Sequence, residues 1–135
     1  MATFAAVDYY ILINAVNMSP MATSASLPVT TAELENTAFS ATYRSRIGGL
    51  KDAKLDIEWN EDFAAAQVDA LLWPLFGTVV TFELRPTSGA RSATNPAYTG
   101  SVLISQYTPL DSKVGDLANL KTSWPTSGAI TRATS

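Results

Sequence analysis

Between Lys54 and Trp59 every second residue is large and apolar, with Leu55, Ile57 and Trp59 on one side and Lys54, Asp56 and Glu58 on the other. A period of two fits a strand with one face in a core and one face wet, so this stretch fixes one half-buried sheet. The same period returns from Thr78 to Arg85, where Val80, Phe82 and Leu84 oppose Thr81, Glu83 and Arg85 until Pro86 ends the run. Tyr9 to Asn14 is aromatic and branched and closes on Asn14 and Asn17, which predicts a strand and a turn. Ser26 to Thr37 reads as another strand with Leu27 and Val29 on one face. Leu34 regains that face only through a bulge near Thr30 and Thr31, and Pro28 suits an edge. Tyr98 to Tyr107, Gly115 to Trp124 and Ala129 to Thr134 complete the set.

One helix interrupts the strands. Asn60, Glu61 and Asp62 offer an N-cap and first-turn negative charge, and Ala64, Val68, Leu71, Leu72 and Leu75 follow helical spacing. Pro74 and Gly77 end it near Trp73, and the scarcity of polar residues predicts that it is largely buried. Ala38 to Leu50, with Tyr43, Arg44, Arg46 and the pair Gly48-Gly49, reads as a loop or short helix closed by residues tolerant of positive φ. Thr87 to Ala97 is a long polar loop. The sum is a mainly β chain, a sandwich or barrel of about seven strands with one flanking α-helix. Its 135 residues fit a single domain. A compact monomer of this size exposes roughly 6,800 Å².

The composition narrows the chemistry. Without Cys or His, the chain has no disulfide, no thiol nucleophile, no imidazole base and no usual zinc ligands. Acid–base work would rest on carboxylates, and Asp56 with Glu58, or Glu33 with Glu35, stand two apart as a solvated strand face also would. No Ser or Thr has a spaced base, so the chain reads as non-enzymatic and cofactor-free. Gly48-Gly49 lacks the frame of a phosphate loop, and Asn17-Met18-Ser19 precedes Pro20 without a secretory signal. The run from Phe4 to Val16 is too short for a membrane span. Nine basic against twelve acidic residues, a net charge of −3, is the wrong sign for gripping phosphates. With 47% hydrophobic and 16% charged residues, the chain suits surface hidden in an assembly. Trp59 and Trp73 fall on apolar faces and read as core rather than as a sugar platform.

Several stretches in order carry a resemblance. They are Leu27 to Asn36 with Glu33-Leu34-Glu35, the loop Arg44 to Asp52, the strand and acidic turn Leu55 to Phe63, and the helix Val68 to Gly77. Arg85-Pro86-Thr87-Ser88 through Asn95 to Gly100 follows, then Gly115-Asp116-Leu117 to Trp124-Pro125. Across nearly its whole length the chain resembles the major tail tube proteins of long-tailed, siphovirus-type bacteriophages, the small single-domain kind of phages of actinobacteria. That resemblance implies hexameric rings stacked into a tube, with inner strands joined in one barrel through which double-stranded DNA passes without tight binding. It implies a wall from Ser26 to Asn36, Lys51 to Trp59, Tyr98 to Tyr107 and Gly115 to Trp124, with Glu33, Glu35, Lys54, Asp56 and Glu58 as lumen-facing candidates. The loop of about 37–49, with Tyr43, Arg44, Arg46, Gly48 and Gly49, would reach a neighbouring subunit or ring. An N-terminal arm of about 1–8 and Thr87 to Ala97 are further ring contacts. Self, a tape-measure protein, a tail terminator and a distal tail protein are the implied partners, with no membrane. The expected location is the virion tail, assembled in the host bacterial cytoplasm. A capsid decoration or other tail-associated protein is the nearest alternative, and a carbohydrate-binding β-sandwich using Tyr43, Tyr98 or Trp124 is the alternative from another class.

Overall fold

The computed structural model describes residue 3 and residues 5–135, so the expected N-terminal arm lies partly outside the described residues. Among the described residues, nine strands form two antiparallel sheets. The first sheet runs β2 (Val16–Asn17), β1 (Tyr10–Ile13), β6 (Val79–Arg85), β7 (Ala97–Leu103) and β9 (Thr131–Ala133) from edge to edge. The second is built on β5 (Arg46–Asn60), which pairs with β3 (Ala22–Ser26), β4 (Val29–Glu35) and β8 (Asn119–Pro125). Asn14 (φ 53°) and Ala15 (φ 64°) sit in the left-handed region and turn β1 tightly into β2.

The alternation does what its period requires. Leu55, Ile57 and Trp59 are fully buried, as are Leu120 and Trp124 across the β5–β8 pair. Ile11, Ile13, Val80, Phe82 and Val102 of the first sheet complete the core between the two layers. Trp59 and Trp124 stand 6.4 Å apart between ring centres, and Trp59 Nε1 donates to Thr122 Oγ1 at 3.0 Å. That bond satisfies the one polar atom that Trp59 brings inside.

Several expectations need correction. The helix α1 covers only Val68–Leu72, followed by a 3-10 turn at Trp73–Leu75. Asn60 is no cap, because its pairing with Asn119 holds it in β5, and Gln67 takes the N-cap position without a side-chain bond. Asp62 instead folds the connection, accepting from Ala64 N on Oδ1 and from Asp69 N on its carbonyl. The helix region is only half buried: Val68 and Leu72 are inside, but Trp73 is 61% exposed. Trp124, one of the aromatics considered for sugar stacking, is instead fully buried.

β5 begins at Arg46, so Arg46, Gly48 and Gly49 lie on a strand rather than in a loop, and neither glycine has positive φ. The predicted irregularity exists, but on the other strand. Thr31 faces Lys51 and Glu33 faces Gly48, so two steps along β4 match three along β5. The extra residue therefore belongs to β5, at Gly49 and Leu50, and Val29 and Leu34 stand on opposite faces of an unbroken β4. A Cβ on Gly49 would come within 3.2 Å of Ala32 Cβ and 3.3 Å of Leu34, which is why a residue without a side chain occupies the crossing. Finally, β7 belongs to the first sheet, so Tyr98 to Tyr107 does not share a wall with β4, β5 and β8.

Candidate functional site

The outward face of the second sheet is polar and carries charges of both signs. Lys54, Asp56 and Glu58 project from β5, with Ser26 opposite Asp56 and Ser24 opposite Glu58 on β3, and Ser123 and Lys121 opposite the same two on β8. Lys54 Nζ lies 3.8 Å from Asp56 Oδ2, and Lys121 Nζ lies 3.4 Å from Glu58 Oε1. Ser123 Oγ also donates to Asp56. Asp56 and Glu58 each have a cation beside them, so these four charges cancel, and exposed Asp52, opposite Thr30 on the same side, leaves the face with one net negative charge. Such exposed pairs contribute little stability, about 0–1 kcal/mol each. Lys121, Ser123, Ser24 and Ser26 were not singled out from the sequence, although Leu120, Thr122 and Trp124 alternate with Lys121 and Ser123.

Beyond Ala53 the β4–β5 pair continues as a two-stranded ribbon in which every residue of β4 is exposed. Among the described residues, no strand pairs with the outer edge of β4 or with the second edge of β5 from Arg46 to Asp52, while the Ala53 carbonyl accepts from Thr126 N at 3.1 Å. Register and alternation place Val29, Thr31, Glu33, Glu35, Arg46 and Lys51 on the same side as buried Ala53. Thr30, Ala32, Leu34, Ile47 and, at the base, Asp52 stand on the side of Lys54 and Asp56. The five lumen-facing candidates thus divide: Glu33 and Glu35 point to the opposite side of the sheet from Lys54, Asp56 and Glu58. Polarity also inverts along the sheet. The body is apolar toward the core and polar outside; the ribbon is charged on the core side and apolar on the other.

At the ribbon's end, Arg44 Nε approaches Glu35 at 3.7 Å and Arg46 Nε approaches Glu33 at 3.9 Å. The connecting loop is closed at its base, with Ser45 N donating to Thr37 Oγ1 at 2.8 Å and Asn36 N to the Ser45 carbonyl at 2.9 Å. It holds Phe39 and Tyr43 almost wholly in solvent, at 104% and 87% exposure.

A second cluster lies at the opposite end of β5. Tyr107 Oη lies 3.1 Å from Glu61 Oε2 and 2.9 Å from Asp69 Oδ1, and one hydroxyl proton serves one carboxylate at a time. Burial raises the Glu61 carboxyl above its ordinary value, and burial with the two acidic neighbours pushes the Tyr107 hydroxyl far up. Trp73 packs at 6.3 Å from Tyr107 and stacks at 6.4 Å on Phe76.

The loop after β6 is ordered by buried polar groups. Glu83 contacts Arg85 and Arg91, and Asn95 Nδ2 reaches the carbonyls of Gly89 and Ala90 at 3.0 and 3.1 Å. Asp8 accepts from Ser88, whose hydroxyl holds its carboxyl below the usual range. Among the described residues, no group of three or more acidic, His or Cys side chains could hold a metal, and no helix is long and apolar enough to cross a membrane.

No family model and no curated protein sequence matches the chain. Among solved structures, it is similar to a chain of the virion of a native gene transfer agent particle, with a TM-score of 0.77 and 15% identity over 97% of this chain and 99% of that one. It is also similar to a chain from the tail of an empty gene transfer agent particle, refined with helical C6 symmetry, with a TM-score of 0.67 and 13% identity over 84% of this chain and 82% of that one. What these likenesses establish is the fold: a mainly β, two-sheet domain of the kind found in gene transfer agent particles.

Proposed function

We propose that this chain is a structural tail tube subunit that forms hexameric rings stacked into a channel for genome delivery. The near end-to-end match to a gene transfer agent virion chain carries this reading. The second likeness, to a tail with C6 symmetry, supports six-fold rings of self. The surface area agrees: the chain exposes 8824 Å², against roughly 6,800 Å² for a compact monomer of its mass. The surplus of about 2,000 Å² is the size of a protein–protein interface.

In this reading the paired charges of Lys54, Asp56, Glu58 and Lys121, with Asp52 on the same side, line the channel. Double-stranded DNA slides past them because few phosphate counterions are released at a wall whose cations are already paired. The ribbon carrying Tyr43, Arg44, Arg46, Gly48 and Gly49 reaches a second subunit, and Glu33 and Glu35 serve there rather than in the bore. The chain would act as one 1–135 domain without catalytic chemistry, located in the virion tail after assembly in the bacterial cytoplasm. Sequence resemblance adds the siphovirus type of actinobacterial phages, and tape-measure, terminator and distal tail proteins as partners. Negative-stain electron microscopy of the purified protein tests the proposal, with six-fold rings or tubes expected. A solitary particle at high concentration, with no ring or tube under any condition, refutes it.

A further inference from the structure

The tip of the β4–β5 ribbon and the corner at α1 are both aromatic, both exposed, and differ in charge. The tip, residues 36–45, presents Phe39 and Tyr43 and carries one charged residue, Arg44. At the corner, Phe63 is 58% exposed, Trp73 61% and Phe76 49%, with Trp73 and Phe76 stacked. Residues 60–78 hold Glu61, Asp62 and Asp69 and no Lys or Arg. An isolated subunit leaves these rings largely exposed at both ends of the strand, an arrangement expected of surfaces covered in an assembly.

The two surfaces cannot meet within one chain. The tip precedes Arg46 and the corner follows Asn60, so they stand at opposite ends of the same 15-residue strand, about 50 Å apart at roughly 3.3 Å per residue. A donor surface at one end and an acceptor at the other make a head-to-tail contact, which propagates along the strand direction rather than closing on a pair.

Resting on the tail tube reading, we infer that the ribbon tip of one copy docks on the aromatic corner of a second copy, placing Phe39 and Tyr43 against Phe63, Trp73 and Phe76 and Arg44 beside Glu61 and Asp62. The occupant is this chain itself. Opposite charge favours the pairing, and the surplus exposed area leaves room for it. The tip is also preformed by its Thr37–Ser45 closure, so little ordering entropy is lost on docking.

The absence of native Cys makes the contact directly testable. The double variant Tyr43→Cys with Trp73→Cys, oxidised under assembly conditions, is expected to give a ladder of covalent multimers on non-reducing gels. The ladder should collapse on reduction, and neither single variant should give species beyond a dimer. Electron microscopy of the same samples separates the two levels of the argument. Rings or tubes without the ladder overturn this contact while leaving the tail tube reading in place. A sample with neither assemblies nor ladder overturns both.

Discussion

The substitution Thr122→Val tests whether the sheet that carries the candidate channel face is held together inside the lone subunit. Thr122 is 2% exposed; its Oγ1 accepts from Trp59 Nε1 at 3.0 Å and donates to the Ile57 carbonyl at 3.2 Å. Valine has nearly the same shape, so no cavity opens, but the indole N–H is stranded in a site where Trp59 is fully buried. The orphaned donor costs about 1–3 kcal/mol and the lost bond to Ile57 about 0.5–1.5 kcal/mol, so a total near 2–3 kcal/mol is expected. At roughly 2.1 cal/mol/K per residue over 135 residues, the unfolding entropy is about 0.28 kcal/mol/K, and Tm should fall by about 7–10 °C. The assay is urea and thermal unfolding followed by Trp fluorescence, at a concentration too low for assembly. Adding Trp59→Phe removes the stranded donor, so the double variant should lose less than the sum of the two single changes. A cost below about 0.5 kcal/mol for Thr122→Val would mean that water reaches the indole, and the argument for a sealed β5–β8 pair would fail.

Three further outcomes are expected. Glu61 has a raised folded-state value, so its protonated form is favoured by folding: its contribution is full below the ordinary glutamate range and is lost as pH rises through the raised value. Glu61→Gln should therefore flatten the stability profile across that window and match or exceed the parent at neutral pH; an unchanged slope in a pH series of melts removes the assignment. Asp56→Lys with Glu58→Lys converts a face with one net negative charge into a cationic one without touching the buried residues, and should slow DNA exit while tubes still form. Ejection kinetics unaffected by this change, at low and high salt alike, would show that the face does not line the bore. Arg44→Ala with Arg46→Ala should lower tube yield and length in electron micrographs while leaving the melting temperature within about 2 °C, since both exposed pairs add little to the lone subunit.

What was legible in the sequence was whatever depends on burial within one chain. The period of two from Lys54 to Trp59 places Leu55, Ile57 and Trp59 in the core because a lone subunit already dries that face. The helix start was misread because Asn60, Glu61 and Asp62 carry the local chemistry of a cap, while pairing with Asn119 holds Asn60 in the sheet. Local preference lost to a long-range ladder there. Trp73 shows the converse, since its apolar character predicts burial that a single copy does not provide.

The ribbon extends this logic to the candidate site. A two-stranded hairpin with every β4 residue in water is marginal on its own, yet its sequence keeps Val29, Leu34 and Ile47, which strands use when something packs against them. Gly48-Gly49 resembles a turn because glycine pairs usually mark one; here the extra β5 residue shifts the register so that Leu34 falls opposite Ile47 on the outer side and Glu33 aligns with Gly48. In the tail tube reading, the apolar pattern changes face along the ribbon because its cover would come from another copy rather than from its own core. Periodicity reports that a face is to be buried, but not by which molecule. The fold of one subunit was therefore readable from Lys54 to Trp59, whereas the division of Glu33 and Glu35 from Asp56 and Glu58 required the register of the two strands.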